Sequence, residues 1–253
     1  MVGSCWPRRQ AATWKEGESM ELNLRALTEE EVLLVHERTL RILKEAGISV
    51  KSEKALDILV QGGAKILRDD IVSISEDMVM DALWTAPKSY VLGARNPIYD
   101  LPVPTTETRY GVDGVAPTIR DLDTGEVRDS TKQDVYNIGR VFQKLSLGSV
   151  AWTGCSALDM PPGTHSLHEF AAILAGTSKH VQFELRQEGE AQYAVEILKT
   201  VLGSEDAVRS RKIASVLFCP ISPLTLDDSM LDAYLALAEY GVPVNVYPCP
   251  IIG

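Results

Sequence analysis

The sequence predicts an α/β fold of the (β/α)8 TIM-barrel type, with only about the first four strands present, preceded by a small α+β extension. After residue 147 short apolar strands alternate with helices. Successive strand centres lie about 30 residues apart, the spacing of parallel βα units with right-handed crossovers. No Gly-rich phosphate loop follows the first of these strands, which argues against a dinucleotide-binding sheet. A complete barrel takes about 250 residues, so residues 148–253 account for its first half.

The strand–helix repeat is visible in the residue pattern itself. The predicted strands are GSVAWTGC, KHVQFEL, ASVLFCP and VPVNVYPCP. The predicted helices between them are SLHEFAAILAG, EAQYAVEILKTVLG and SMLDAYLALAEYG. The last strand runs into a proline-rich loop at the end of the sequence, where a domain seldom stops. We therefore interpret the sequence as a fragment, and it leaves open whether the natural chain ends at Gly253.

Residues 24–147 are predicted to form the α+β extension, after a loose polar leader over residues 1–23. In LTEEEVLLVHERTLRILKEAG, Thr28 and Glu31 form a capping box at the start of an amphipathic helix. The apolar face of this helix includes His36, for which a packed position with one bonded nitrogen is expected. The segment AKILRDDIVSIS predicts a β-hairpin that turns at its two aspartates.

Composition excludes several classes of function. The formal net charge is −10 and no cluster of Lys and Arg is present, which excludes nucleic acid as an expected partner. No apolar run approaches the length of a membrane span, and no signal peptide begins the chain, so a cytoplasmic protein without a membrane partner is expected. The four cysteines have no short repeated spacing, which favours reduced thiols over a disulfide framework.

Four segments, in this order and with similar spacing, resemble the trimethylamine:corrinoid methyltransferase (MttB-like) family over roughly residues 24–253. They are LTEEEVLLVHERTLRILKEAGISVKSEKALDILVQGGAKI, APKSYVLGARNP, DLDTGEVRDSTKQD and YPCPIIG. The resemblance implies a (β/α)8 barrel behind a helical and β extension, continuing past the last strand of this sequence. Some members contain pyrrolysine and act on trimethylamine, whereas others resemble demethylases of quaternary amines such as glycine betaine. The pyrrolysine position lies beyond this sequence, which therefore does not distinguish the two types.

The activity that the resemblance implies is methyl transfer from a methylated amine to the cobalt of a corrinoid carried by a separate protein, as in methanogenesis from methylamines. This chain is expected to bind no cofactor of its own. Its task is to orient an N-methyl group, hold the positive charge of the substrate and exclude water, so no acid–base triad is required. Catalytic residues are unknown, the fragment alone is expected to be inactive, and its unpaired strand edges predict a homo-oligomer.

Substrate-binding candidates are sought where barrel enzymes hold them, at the carboxyl ends of the strands. Glu184 offers a carboxylate to a cationic amine, although it is as well placed to pair structurally with a nearby cation, Arg186 or Lys179. Trp152 and Tyr247 offer aromatic faces for cation–π contact, although strand aromatics mostly fill cores.

Two further carboxylates are also candidates. Asp159 stands in the sequence Asp-Met-Pro-Pro, which is also typical of a plain loop turn. Asp113 lies between two glycines, where the backbone can approach a ligand closely, but a bulge or turn accounts for it equally well.

Two alternatives remain open at this point. Cys155, Cys219 and Cys249 end three predicted strands, and with His165 or His168 they could form a thiolate zinc site for thiol or corrinoid methyl transfer. No pair of cysteines has close C-x2-C spacing, so no metal site is the favoured expectation. The second alternative is a noncatalytic half-barrel that works as a binding or assembly module.

Overall fold

A computed structural model of the chain describes residues 25–187, 189–226 and 228–249, with the side chains of residues 228 and 229 outside the description. The chain divides into two compact units, residues 1–39 and 40–253. The helices are α1 (Glu29–Glu45), α2 (Glu53–Gln61), α3 (Glu76–Thr85), α4 (Lys132–Lys144), α5 (His165–Gly176), α6 (Glu190–Leu202), α7 (Glu205–Arg211) and α8 (Asp228–Glu239), with a 3-10 turn at Pro97–Tyr99. In this part of the chain no helix combines the length and the apolar character that crossing a bilayer requires.

The strands are short and fall into several sheets. They are β1 (Ile48–Val50), β2 (Lys65–Arg68), β3 (Ile71–Ser73), β4 (Tyr90–Leu92), β5 (Leu101–Val103), β6 (Tyr110–Gly111), β7 (Val115–Ala116), β8 (Thr118–Arg120), β9 (Val127–Asp129), β10 (Gly148–Ala151), β11 (Gly154–Cys155), β12 (His180–Phe183), β13 (Ala214–Phe218), β14 (Thr225–Leu226) and β15 (Val244–Val246).

The described part of the first unit is the beginning of α1. The predicted capping box is present: the hydroxyl of Thr28 accepts from the backbone N–H of Glu31, and the Glu31 carboxylate accepts from the backbone N–H of Thr28. The helix buries no residue, and His36 is only half-buried, in contrast to the packed position that its place on the apolar face predicted.

In the second unit, a small sheet with the order β14-β1-β3-β2 forms the core of the extension. The predicted hairpin over β2 and β3 is confirmed, and Asp69 takes a positive φ of 44° in its turn. Strand β14 follows β13 in the sequence and returns to pair in parallel with β1, so the extension is built partly from a loop of the barrel portion.

The larger sheet is parallel and has five strands in the order β15-β13-β12-β10-β6. The predicted strands at 148–155, 179–185, 214–220 and 242–250 are β10 with β11, β12, β13 and β15. Strand β6 is an addition to the predicted strands of this sheet, the first of which begins at residue 148. Helices follow β10, β12 and β13, so the architecture agrees with part of a (β/α)8 barrel.

One face of this sheet packs against the helices and forms the main core. Phe183 of β12 stacks on Phe170 of α5 with ring centroids 4.0 Å apart, and Phe218 of β13 contacts Tyr234 of α8 at 4.8 Å. Both phenylalanines are buried, as are the valines two residues before each in the sequence. Side chains at these alternate positions therefore face the helices, and the positions between them face the other side of the sheet.

The segment that follows β4 is fixed to the amino-terminal edge of the parallel sheet. His180 bonds through Nδ1 to the carbonyl of Gly93 (2.7 Å), and Arg211 donates to the carboxylate of Asp100 (2.9 and 3.1 Å). Buried Lys179 donates to three backbone carbonyls between residues 142 and 148. These contacts cover the amino-terminal edge of the sheet. The candidate site lies at the opposite edge, where the strands end.

Candidate functional site

Polar side chains lie on the face of the parallel sheet that turns away from the helices. His180 bonds through Nε2 to the hydroxyl of Ser215 (2.9 Å), and Asn245 donates to the side-chain carbonyl of Gln182 (3.1 Å). Gln182 is on β12 and Asn245 on β15, with β13 between them, so their bond crosses a whole strand. Side chains two strands apart can meet only where the sheet curls toward them, and we therefore call this side the inner face.

Glu184 continues the same alternation as His180 and Gln182, one position beyond the end of β12. This places it on the inner face at the carboxyl edge of the sheet. Its side chain is half-buried, and burial raises the pKa of the carboxyl group, against a smaller opposing effect of Arg186. Among the described residues its carboxylate forms no hydrogen bond or ion pair.

The two cations considered as structural partners of Glu184 are both engaged elsewhere. Arg186 donates to the buried carboxylate of Glu169 at 3.2 Å. Lys179 is bonded to the carbonyls of Phe142 (3.2 Å), Leu145 (2.5 Å) and Gly148 (2.7 Å). Glu184 is thus a half-buried carboxylate with no direct side-chain partner among the described residues, and only the more distant charge of Arg186 compensates it.

Trp152 and Asp113 lie in matching interruptions of two neighbouring strands. Asp113 separates β6 from β7, and Trp152 precedes β11 at the corresponding place after β10. Trp152 is half-buried, and its indole Nε1 is buried with no hydrogen-bond partner among the described residues. Asp113 is exposed and accepts from the N–H of Gly114 (2.8 Å), whose φ is +82°. Such irregularities aim side chains and are frequent beside functional sites.

Asp159 and Tyr247 occupy different kinds of position. Asp159 is exposed on the loop before α5 and accepts from the backbone N–H of Lys132 (2.7 Å), the first residue of α4, so it satisfies a helix terminus. Tyr247 follows β15 directly, and its N–H donates to the carbonyl of Phe218 (2.8 Å). Its ring is exposed at the same edge as Glu184. The structure thus collects four of the five candidates at the strand ends and sets Asp159 apart on a loop.

Sequence reasoning missed the groups that hold the loops at this edge. Glu169 is buried and accepts from the N–H of Ala157 (3.0 Å) as well as from Arg186. Glu190 is buried and accepts from the N–H groups of Arg186 (2.7 Å) and Gln187 (3.1 Å). The available signal was a glutamate on the apolar face of each of two predicted helices, since such a residue is rarely buried without a partner.

The cysteines and histidines named for a zinc site do not form one within the described residues, where no group of three possible ligands lies together. Cys155 is buried, and its burial raises the pKa of its thiol to about 11. His168 contacts the ammonium group of Lys132 through Nδ1 (3.1 Å), and His165 bonds the carbonyl of Met160 through Nε2 (2.7 Å). These side chains serve the loop before α5 and the start of α4.

We expect the purified chain to contain no stoichiometric zinc after dialysis without chelator, because two exposed thiols and no third ligand make a weak site. Elemental analysis checks this. About one zinc per chain, lost on replacing Cys219 by serine, would instead support the zinc alternative.

The fold and this polar edge define an α/β protein that presents a site at the carboxyl ends of parallel strands. The family model described as trimethylamine methyltransferase (MTTB) matches residues 6–253. The chain belongs to this family, as the resemblance in its sequence segments indicated.

The curated relatives that the chain matches are named as trimethylamine or glycine betaine methyltransferases. The chain is 30% identical over 224 residues to trimethylamine methyltransferase MttB of Desulfitobacterium hafniense (strain DSM 10664 / DCB-2), covering 88% of this chain and 45% of the relative. It is 29% identical over 225 residues to glycine betaine methyltransferase of D. hafniense (strain Y51), covering 87% and 46%. It is 29% identical over 242 residues to trimethylamine methyltransferase MttB of Methanosarcina barkeri, covering 92% and 48%. The chain spans about half the length of the curated relatives it matches.

Proposed function

We propose that the protein containing this chain is a methyltransferase that takes a methyl group from a methylated amine, either trimethylamine or a quaternary amine of the glycine betaine type. In this proposal the acceptor is the cobalt of a corrinoid on a separate partner protein. The family and the names of the relatives support the methylated amine. The single observation that carries the site is the half-buried carboxylate of Glu184 on the inner face, which has no cationic partner among the described side chains.

A methylated ammonium is costly to remove from water, and a binding site must replace the interactions that it loses. A carboxylate supplies the opposite charge, and aromatic faces supply cation–π attraction without hydrogen bonds, which a quaternary nitrogen cannot donate. Glu184 offers the first, and Tyr247 and Trp152 offer the second at the ends of other strands of the same sheet. Asp113 is placed to add negative charge from the first strand of the sheet.

The proposed reaction requires little proton transfer by the residues of this chain. A cobalt(I) corrinoid on the partner protein would supply the nucleophile that accepts the methyl group. The substrate nitrogen, quaternary or protonated, would then leave with the bonding electron pair as a neutral amine. The residues of this chain hold the cation, direct one N-methyl group outward from the strand ends and exclude water. Glu169 and Glu190 are positioning residues in this proposal, because they fix the loops on either side of Glu184.

The chain itself needs no bound cofactor under this proposal. We place the protein in the cytoplasm with a corrinoid protein as partner. We also expect residues 1–253 alone to associate with copies of themselves, because β6 and β15 end the parallel sheet without a further neighbour among the described strands. Since the chain spans about half the length of its relatives, we expect residues 1–253 alone to lack methyltransferase activity.

Replacing Glu184 by glutamine tests the proposed countercharge. In the protein with a complete barrel, Glu184→Gln should raise the dissociation constant for trimethylammonium or glycine betaine by roughly ten- to a hundredfold, which corresponds to about 1.4 to 2.8 kcal/mol. Isothermal titration calorimetry measures it directly. Because burial raises the pKa of Glu184, affinity in the parent protein should begin to weaken at a higher pH than an ordinary glutamate would require.

Glu196→Gln is the matched control, because it makes the same chemical change on the solvent face of α6, where Glu196 pairs with Lys199. Its binding should equal that of the parent. A second control is tert-butanol, a neutral ligand with a similar methyl surface, whose weak binding Glu184→Gln should leave unchanged. If Glu184→Gln binds the cations as tightly as the parent, Glu184 is structural and the countercharge lies elsewhere.

A further inference from the structure

Two thiols meet at the carboxyl edge of the parallel sheet, one after β13 and one after β15. These strands are neighbours in parallel register, with Phe218 opposite Val246. The N–H of Tyr247 extends the pairing by donating to the carbonyl of Phe218 (2.8 Å). The backbone of Cys219 therefore lies beside that of Tyr247, at the usual separation of neighbouring strands, about 4.8 Å.

Cys249 is two residues further along, but its side chain folds back toward the same place. Its thiol lies 3.9 Å from the carbonyl oxygen of Tyr247. Burial, followed by a charge interaction and a hydrogen bond with the thiol of Cys249, raises the pKa of Cys219. Both cysteines therefore lie beside Tyr247 and are near enough to affect each other. A disulfide between them requires their Cα atoms to lie within about 7 Å of each other.

Accessibility separates this pair from the other described cysteine. Cys219 and Cys249 are both exposed, whereas Cys155 is buried in the main core. A dissolved oxidant can therefore reach the first two in the folded chain and not the third.

We propose that Cys219 and Cys249 are a reversible dithiol–disulfide pair whose oxidant is a small-molecule disulfide. One thiolate attacks the small disulfide, forms a mixed disulfide and releases one small thiol. The second thiolate attacks the sulfur of the first cysteine, closes the Cys219–Cys249 bond and releases the second small thiol. The two cysteines lose two electrons and two protons, and the small disulfide is reduced to two thiols.

The closed form ties the end of β13 to the segment after β15, on the edge where Glu184 and Tyr247 stand. It would restrict the mouth of the sheet and remove two nucleophilic sulfurs from it. This inference does not rest on the proposed methyl transfer, because it follows from the register of the two strands and from the exposure of the thiols.

The sequence places both cysteines in one tryptic peptide, because no Lys or Arg lies between Lys212 and the end of the chain. Trypsin therefore releases residues 213–253 as one peptide that contains both cysteines. The folded, reduced chain, with Cys5→Ser as background, is treated with oxidised glutathione, alkylated and digested. The expected peptide is about 2 Da lighter than its reduced form and carries no alkyl group. After cleavage following Glu239, its two halves should stay together until a reductant is added.

Three single variants and one condition serve as controls. In Cys219→Ser and in Cys249→Ser the remaining thiol should carry a glutathione instead, and Cys155→Ser should leave the closed peptide unchanged. In urea, where the chain is unfolded, oxidation should no longer favour the Cys219–Cys249 bond, because Cys155 is then accessible and competes for the oxidant. The proposal is overturned if the folded parent carries glutathione or the alkyl group on both Cys219 and Cys249, or if the linkage joins two chains.

Discussion

Gly93→Ala should lower the free energy of unfolding by at least about 3 kcal/mol, the largest effect that we expect from any single methyl group in this chain. A β-carbon at this position would lie 1.7 Å from the carbonyl oxygen of Arg211. The obstacle is backbone and not a flexible side chain, so a change of rotamer cannot relieve it. The segment after β4 would have to lift away from the sheet, with loss of its bonds to His180 and Arg211.

Urea denaturation followed by circular dichroism measures this change. Gly189→Ala is the matched control, because Gly189 has a right-handed φ of −67° and a β-carbon there would meet nothing within 4 Å. It should be neutral or slightly stabilising, since it restricts the unfolded chain. A Gly93→Ala midpoint equal to that of the parent would mean that the segment after β4 is not held against the sheet as described.

The strands and helices after residue 147 could be predicted from sequence because each is a local pattern with its own period. The capping box at Thr28 is equally local, and it is present. Strand β6 could not be predicted in the same way. It has two residues, one of them Gly111, and it forms because the N–H groups of Tyr110 and Val112 donate to the carbonyls of Leu147 and Val150.

The candidate site shows the same division. Position at a strand end predicted Glu184, Trp152 and Tyr247 from the sequence alone. Arg186 pairs with Glu169, which is 17 residues away on α5, and not with Glu184. Lys179 likewise finds its carbonyl partners more than 30 residues upstream. Such partners are set by tertiary packing, and no local pattern indicates them.

Acidification should destabilise the chain through His180 before most carboxylates titrate. His180 is fully buried between the carbonyl of Gly93 and the hydroxyl of Ser215. The carbonyl can only accept, so Nδ1 bears the proton of the neutral ring and Nε2 accepts from Ser215. Burial disfavours the charged form and lowers the pKa from 6.5 to about 4.

The sign of the effect follows from proton linkage. The unfolded chain takes up a proton at this histidine near pH 6.5, whereas the folded chain takes it up only near pH 4. The contribution to stability is therefore complete above pH 6.5 and is lost as the pH falls toward 4. Loss should reach about 2 kcal/mol at pH 5 and about 3 kcal/mol at pH 4.

Urea denaturation of the parent and of His180→Asn at pH 7 and pH 5 measures this contribution. The variant should be less stable at pH 7 and should lose less between the two pH values than the parent, by about 2 kcal/mol. His168→Asn is the control, since burial and then Lys132 also lower the pKa of His168, but it is less deeply buried and its variant should change the slope less. The proton resonances of the His180 ring give a second measurement on the folded parent. A ring that titrates near pH 6.5, or equal slopes in the parent and His180→Asn, would contradict a buried neutral histidine at the junction of the extension and the parallel sheet.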